Sequence, residues 1–528
     1  MNDQATTNLS LSNSVTNDLS IANKSTESQA AGDPPPLTLT TNILYGTGSA
    51  AFGVHVAALG SLLLLFFNQV VGLPAAWVGA ALMIALIFDA ICDPLIGEWS
   101  DHTRSKWGRR HPFMYASAIP VAVSFYFLWN PPHGWSNRSM FIYLFVLLIA
   151  LRLLLSLYEI PSSALAPELT PDYDQRTGLM SWRFFFGTIG GAGMSWLAFG
   201  VFLRNDAAHP MGIMNRAGWG YFGLVGGLVM FVSIMVSCLG THRFIASVVH
   251  APRRVESWSD KIREVTATFS NRSFVALMVA GLIGAIATGL GSGLDLYITN
   301  YFWELTPKQL SMFPLVALVS AFIGVALAPA LSKRMGKKRS MIAVFFVSLF
   351  CSVIPIPLRL IGIMPDNHSS ALMVILLSFY LAATTLGIMG FIIVSSMMAD
   401  VVEDIAVTTG QRSEGLLFAS NGLLQKCVTG VGTFFSGLLL MVVHFPQGAI
   451  QGHVDPLILR HLVLLYLPIS ATCSALAIAA LMFYRIDRTV HQNNLDRLRD
   501  AAATLETGEE NLLEGFNPRV PLAVNSKR

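Results

Sequence analysis

The chain has 528 residues, of which 53% are hydrophobic and only 12% charged, against roughly 25% charged in a soluble domain. Its mean hydropathy is +0.57, so too little polar surface exists to cover a series of soluble domains. A net charge of +3, with the basic residues set between apolar runs, also argues against nucleic-acid binding. The composition is that of an all-α polytopic membrane protein.

In chain order, residues 1–40 come first. They are rich in Ser, Asn and Thr, close with Pro34-Pro35-Pro36, carry no cleavable signal-peptide pattern, and read as a disordered tail. A helix needs about 20 apolar residues to cross the hydrocarbon core. Six such runs follow, at roughly 43–67, 75–98, 113–130, 140–166, 180–203 and 219–241. A hydrophilic stretch over 242–272 separates them from six more, at roughly 274–300, 309–332, 340–363, 371–398, 415–444 and 462–484. That stretch suits a short amphipathic surface helix with Trp258 and Val265 on one side. The expected organisation is two six-helix bundles, 41–241 and 273–486, joined by 242–272 and closed by a tail over 487–528. Cys92, Cys238, Cys351, Cys427 and Cys473 all lie inside apolar runs without metal-ligand spacing, as small buried hydrophobes do.

Lys and Arg collect in alternate loops: Arg104, Lys106, Arg109 and Arg110 after the second run, a basic cluster in the central stretch, and Lys333, Arg334, Lys337, Lys338 and Arg339 after the eighth. By the positive-inside rule both termini are expected in the cytoplasm, with the plasma membrane as the location. The two short basic loops stand at matching places in the two halves, the mark of an internal repeat and of the major facilitator architecture.

Ionisable residues inside spans cost roughly 2.5–3.5 kcal/mol each on insertion scales, so each one asks for a reason. Asp89 and Asp93 on the second span are four residues apart and share a helix face. Two such carboxylates cannot both ionise cheaply in low dielectric: a cation sits between them, or one keeps its proton. The bland alternative is a hydrogen-bonded pair near the membrane exit. On the fourth span Arg152, Ser156, Glu159 and Ser163 form one polar stripe. Ser156 there offers an oxygen to a hard cation, while Arg152 paired to Glu159 for folding alone remains the other reading. Lys426, near the middle of the eleventh span, is the natural counter-charge from the opposite bundle. Arg183 is expected to snorkel and Asp295 to be interfacial. Tyr380, Thr384 and Thr385 on the tenth span either line a cavity or pack.

The run Phe88-Asp89-Ala90-Ile91-Cys92-Asp93-Pro94-Leu95-Ile96-Gly97, followed by Thr103-Arg104-Ser105-Lys106-Trp107-Gly108-Arg109-Arg110, resembles the signature of the glycoside–pentoside–hexuronide:cation symporters. The likeness extends from Tyr45-Gly46 to Tyr484-Arg485-Ile486-Asp487 and includes Glu159-Ile160-Pro161 and Lys426. It implies that Asp89, Asp93 and Ser156 hold the coupling cation, with Cys92 where the melibiose permeases have an asparagine ligand. A thiol is a poor sodium ligand, so the resemblance leaves both Na+ and H+ open. It also implies a substrate site around Glu159, but Gly53 replaces an aspartate and Ser163 a tryptophan of the sugar-binding set. Pro161-Ser162-Ser163-Ala164-Leu165 is similar to the run of the sodium-coupled lysophospholipid branch, and the first span is largely apolar after Gly53, His55 apart. The expectation is therefore a monomeric cation-coupled symporter, not an enzyme and without a cofactor, with a lysophospholipid ahead of a glycoside, pentoside or hexuronide. A non-transporting scaffold is the third reading.

Overall fold

Short polar residues mark where the apolar runs become helices. Ser136, Asp172, Asn215, Asn271 and Asp455 each stand just ahead of a run, and each side chain accepts a backbone N–H of the first helical turn, as N-caps do. The computed structural model describes residues 38–170, 172–207, 209–247, 269–367, 369–409, 414–486, 489–494 and 497. Among these, twelve helices are long and apolar enough to cross a membrane. They are α1 (Leu39–Val70), α2 (Ala75–His102), α3 (His111–Trp129), α4 (Asn137–Leu169), α5 (Gln175–Phe202), α6 (Arg216–Phe244), α7 (Arg272–Phe302), α8 (Pro307–Met335), α9 (Lys337–Leu360), α10 (Ser370–Ile405), α11 (Asn421–Val442) and α12 (Pro456–Met482). Each expected span has its helix. Trp258, Val265, the first 37 residues and nearly all of 487–528 lie outside the described residues.

The repeat inferred from the basic loops reappears in the packing. In the first six helices α1 lies against α5 and α6, α2 against α4, and α3 against α4 and α6. In the second six, α7 lies against α11 and α12, α8 against α10, and α9 against α10 and α12. The second set is the first shifted by six helices, giving the two pseudo-symmetric bundles of a major facilitator fold.

Each basic loop is tied down within its own bundle. Arg109 and Arg110 reach Glu168 at the end of α4 at 2.6 and 2.9 Å, and Arg110 also reaches Asp101 at 2.8 Å. In the second bundle Lys337 meets Asp400, near the end of α10, at 2.6 Å. The loop charges thus pair with acids closing the fourth helix of each half.

The bundles meet at one end. Here α2 and α11 approach along small residues: a Cβ on Gly437 would come within 2.4 Å of the Ala75 carbonyl, and one on Gly430 within 3.2 Å of the Met83 Cα. Small residues permit such approach in membranes, where packing drives association. Beside this contact, the Tyr297 hydroxyl of α7 donates to Asn68 Oδ1 of α1 at 2.8 Å. Gln69 Oε1 accepts the Ala449 N–H at 2.9 Å, and its Nε2 donates to the Pro446 carbonyl at 3.1 Å. We call this the sealed face. Toward the other end, which carries the basic loops, Gly97 on α2 has only Ile160 of its own bundle nearby, and Gly422 on α11 has no neighbour within 4 Å. Among the described residues the helices part below Lys426, leaving a cavity open toward the basic face.

Candidate functional site

Where α2 and α11 part, three helices bring charge together. Asp89 and Asp93 face α4, and the Ser156 hydroxyl lies 2.9 Å from Asp89 Oδ1 and 2.7 Å from Asp93 Oδ1. From α11 the Lys426 ammonium reaches Asp89 Oδ2 at 3.0 Å and also pairs with Asp93. The Arg152 guanidinium stands farther off, 3.5 Å from Asp89 Oδ2. Burying one such carboxylate alone costs several kcal/mol, and pairing offsets that cost only where hydrogen bonds fill the remaining lone pairs. Asp89 has all three: a hydroxyl, an ammonium and a guanidinium.

One stoichiometric point constrains the chemistry. A serine hydroxyl carries a single proton, yet Ser156 touches one oxygen from each carboxylate. Its proton satisfies one contact. The second needs a proton on a carboxylate or a cation shared by the three oxygens. The oxygen set fits a small hard cation, and Lys426 already places a tethered positive charge on the same two carboxylates.

For Glu159 the alternative reading, a folding pair with Arg152, does not hold. It pairs not with Arg152 on its own helix but with Arg183 from α5, whose other amino group donates to Ser162 Oγ at 2.6 Å. The Arg183 guanidinium also lies 5.4 Å from the centre of the Tyr45 ring, within cation–π range. Arg183 was expected to snorkel, but it is buried. The helical turns leading into α5 begin at Tyr173, ten residues earlier, so at 1.5 Å per residue Arg183 sits about 15 Å along the helix axis. The other Glu159 oxygen has no hydrogen-bond partner.

A cavity of about 240 Å³ joins these groups. Its wall includes Asp89, Asp93, Arg152, Ser156, Glu159 and Lys426, together with Ser292 of α7. His55 of α1 also lines it, buried and with Nδ1 unpartnered. An adjoining cavity between α1 and α5 is lined by Phe52, Gly53, Val56, Ala57, Arg183 and Phe184, and Glu159 borders both.

The remaining expected site residues are not on the wall of the central cavity. Ser163 returns its hydroxyl to the Ile160 carbonyl at 2.9 Å and is not on the wall of either cavity. Cys92, on α2 between the two aspartates, is likewise off the wall. Gly53 borders the adjoining cavity, but its lack of a side chain answers a packing demand, since a Cβ there would lie 1.9 Å from the Gly187 carbonyl. Tyr380 stacks edge-on against Phe313, ring centres 4.9 Å apart, with the Thr384 hydroxyl beside it.

The sequence profile of the MFS/sugar transport protein family matches residues 44–488, both bundles included. The chain belongs to this family. The glycoside–pentoside–hexuronide:cation symporters suggested by the α2 signature are the same group, and the protein is a cation-coupled symporter of the major facilitator superfamily. An uncharacterized symporter of Synechocystis is 28% identical, covering 76% of this chain and 86% of that protein. The isoprimeverose transporter of Lactiplantibacillus pentosus is 25% identical over 84% of this chain and 88% of its own. A D-xylose–proton symporter of known structure superposes with a TM-score of 0.55 over 83% of this chain and 96% of its own, at 12% identity, a likeness of fold alone.

Proposed function

We propose that the protein carries a glycoside or a similar small polyhydroxylated solute together with Na+ or H+, by alternating access around the α2–α4–α11 site. The observation that carries this reading is the Lys426 ammonium seated on Asp89 and Asp93 across the bundle boundary. In the proposed cycle, the coupling cation and Lys426 compete for one pair of carboxylates. Binding of the cation to Asp89, Asp93 and Ser156 frees Lys426, removes an inter-bundle contact and makes it possible for the cavity to close on the basic side. Release of the cation lets the lysine return. Positive-inside charge puts the basic face in the cytoplasm, so the open cavity faces inward; both termini lie on that side of the plasma membrane.

Sugar cargo is supported by the isoprimeverose transporter and by a glucuronide carrier homolog of Escherichia coli among the relatives. It is also supported by the wall itself, where Ser156, Ser292, Thr429, Glu159 and His55 offer hydroxyl-matching donors and acceptors. The apolar run after Gly53, which favoured a lipid in the sequence, is largely packing: Leu62, Leu63, Leu64, Leu65, Phe66 and Phe67 are all buried in the core. A lysophospholipid is the second reading, favoured by the adjoining cavity, where Phe52, Val56 and Phe184 stand beside Arg183.

Equilibrium binding to the purified protein tests the coupling. Affinity for a neutral glycoside such as methyl β-D-xyloside is measured against Na+ at fixed pH, then against pH without Na+. Linkage requires that a coupled ion raise sugar affinity by the factor with which sugar raises ion affinity. Indifference to both ions would overturn the proposal. Displacement by lysophosphatidylcholine in place of sugar moves the weight to the second reading.

A further inference from the structure

Asp89, Asp93 and Glu159 of the central site each have a cationic partner. Asp295 on α7 does not: among the described residues, no ion pair or hydrogen bond reaches its side chain, while its backbone carbonyl accepts from Thr299 at 2.8 Å. Its side chain is exposed, and it stands seven residues before the end of α7 at Phe302. Ser292, on the wall of the central cavity, precedes it by three residues and shares its helix face.

Two tyrosines from separate helices converge on the same place. The Tyr466 hydroxyl of α12 lies against α7, 3.7 Å from where a Gly291 Cβ would stand, and is within electrostatic reach of Asp295. Tyr380 of α10 is also within reach of Asp295, its ring held edge-on by Phe313. The group thus combines a carboxylate that accepts hydrogen bonds, two phenols that donate and accept them, and aromatic faces.

We propose that Asp295, with Tyr380 and Tyr466, is the second bundle's half of the substrate site and selects neutral polyhydroxylated substrates over anionic ones. This rests on the sugar reading above and narrows it. An ionised Asp295 accepts hydrogen bonds from adjacent sugar hydroxyls, the role in which charge-assisted bonds are strongest. Without a cation beside it, the same charge repels a uronate carboxylate. The first bundle supplies the ion site, the second bundle this selectivity, and both are engaged at once only when the cavity is occupied.

The test compares wild type, Asp295→Asn and Asp295→Glu for binding of methyl β-D-xyloside, of methyl β-D-glucuronide and of the coupling ion. Asp295→Asn is expected to weaken xyloside binding about tenfold or more, ~1.4 kcal/mol per decade, and to improve glucuronide competition. Ion affinity is expected to stay unchanged, and Asp295→Glu to retain the preference for neutral sugar. Folded Asp295→Asn protein with wild-type affinities for both sugars would overturn the inference alone, as would a wild type that prefers the glucuronide. A wild type that binds neither sugar overturns the sugar reading and this inference with it.

Discussion

A lysine ammonium between two carboxylates competes with any cation those carboxylates bind, so Lys426 sets the ion affinity as well as the charge balance. Lys426→Ala is expected to tighten ion binding while impairing transport; weaker or unchanged ion binding, followed by isothermal titration, would contradict the competition. Ser156 supplies one oxygen to a charged cluster, and hydrogen bonds to charged groups contribute roughly 1.5–3 kcal/mol. Ser156→Ala should therefore weaken ion affinity about tenfold or more, read in the same titration. The Glu159–Arg183 pair makes a stability prediction, because removing one partner of a buried pair costs about 3–5 kcal/mol. Arg183→Met should lower the unfolding temperature in detergent, and Arg183→Met with Glu159→Gln should recover much of the loss. Asp89, Asp93, Ser156, Arg152 and Lys426 were legible in the sequence because charge inside an apolar run needs a reason. Arg183 was not, because its depth depends on where α5 begins, and the polar start of that helix, Tyr173-Asp174-Gln175-Arg176, hides its first turns from a hydropathy reading.

At the scale of helices, glycine positions separate packing from recognition. The sequence made Gly53 look like a lost sugar ligand, but the α1–α5 crossing leaves no room for a side chain there: a Cβ meets the Gly187 carbonyl. Gly53→Asp should therefore abolish folding and not restore a sugar handle, measured as loss of monodisperse protein on size-exclusion chromatography; a folded Gly53→Asp with improved sugar affinity would contradict the packing role. Spans were legible because twenty apolar residues leave little else to be, and their pairing followed from the repeat of basic loops. The acids that hold those loops, Glu168 and Asp400, were not legible, since they lie some sixty residues away in sequence and meet their partners only through the α2–α4 and α8–α10 packing.

The whole molecule is sealed at one end by α1, α7 and the α11–α12 connection, and parted at the other. Four of its helix segments near the sealed face, Ala58–Leu62, Phe66–Val70, Ala198–Phe202 and Ile298–Phe302, are π-helical, a form that often marks functional sites. They place conformational slack in α1, α5 and α7, the helices at or beside the closed gate. A cysteine pair at Gln69 and Ala449 should cross-link in the conformation described, where the two residues are in contact, and stop transport reversibly with reductant; free transport through the cross-link would contradict a moving gate. The sequence could not reveal which end is closed, because that depends on contacts across the bundles, such as Tyr297 to Asn68 and Ala449 to Gln69, between residues 229 and 380 positions apart.

Coupled transport by the Asp89–Asp93–Lys426 site is tested most directly by uptake of labelled methyl β-D-xyloside into proteoliposomes, with an imposed Na+ or proton gradient, for wild type and Asp93→Asn. Wild type should concentrate the sugar under one of the gradients, and Asp93→Asn should at most equilibrate it. Accumulation that persists in Asp93→Asn, or wild-type uptake indifferent to both gradients, would contradict it.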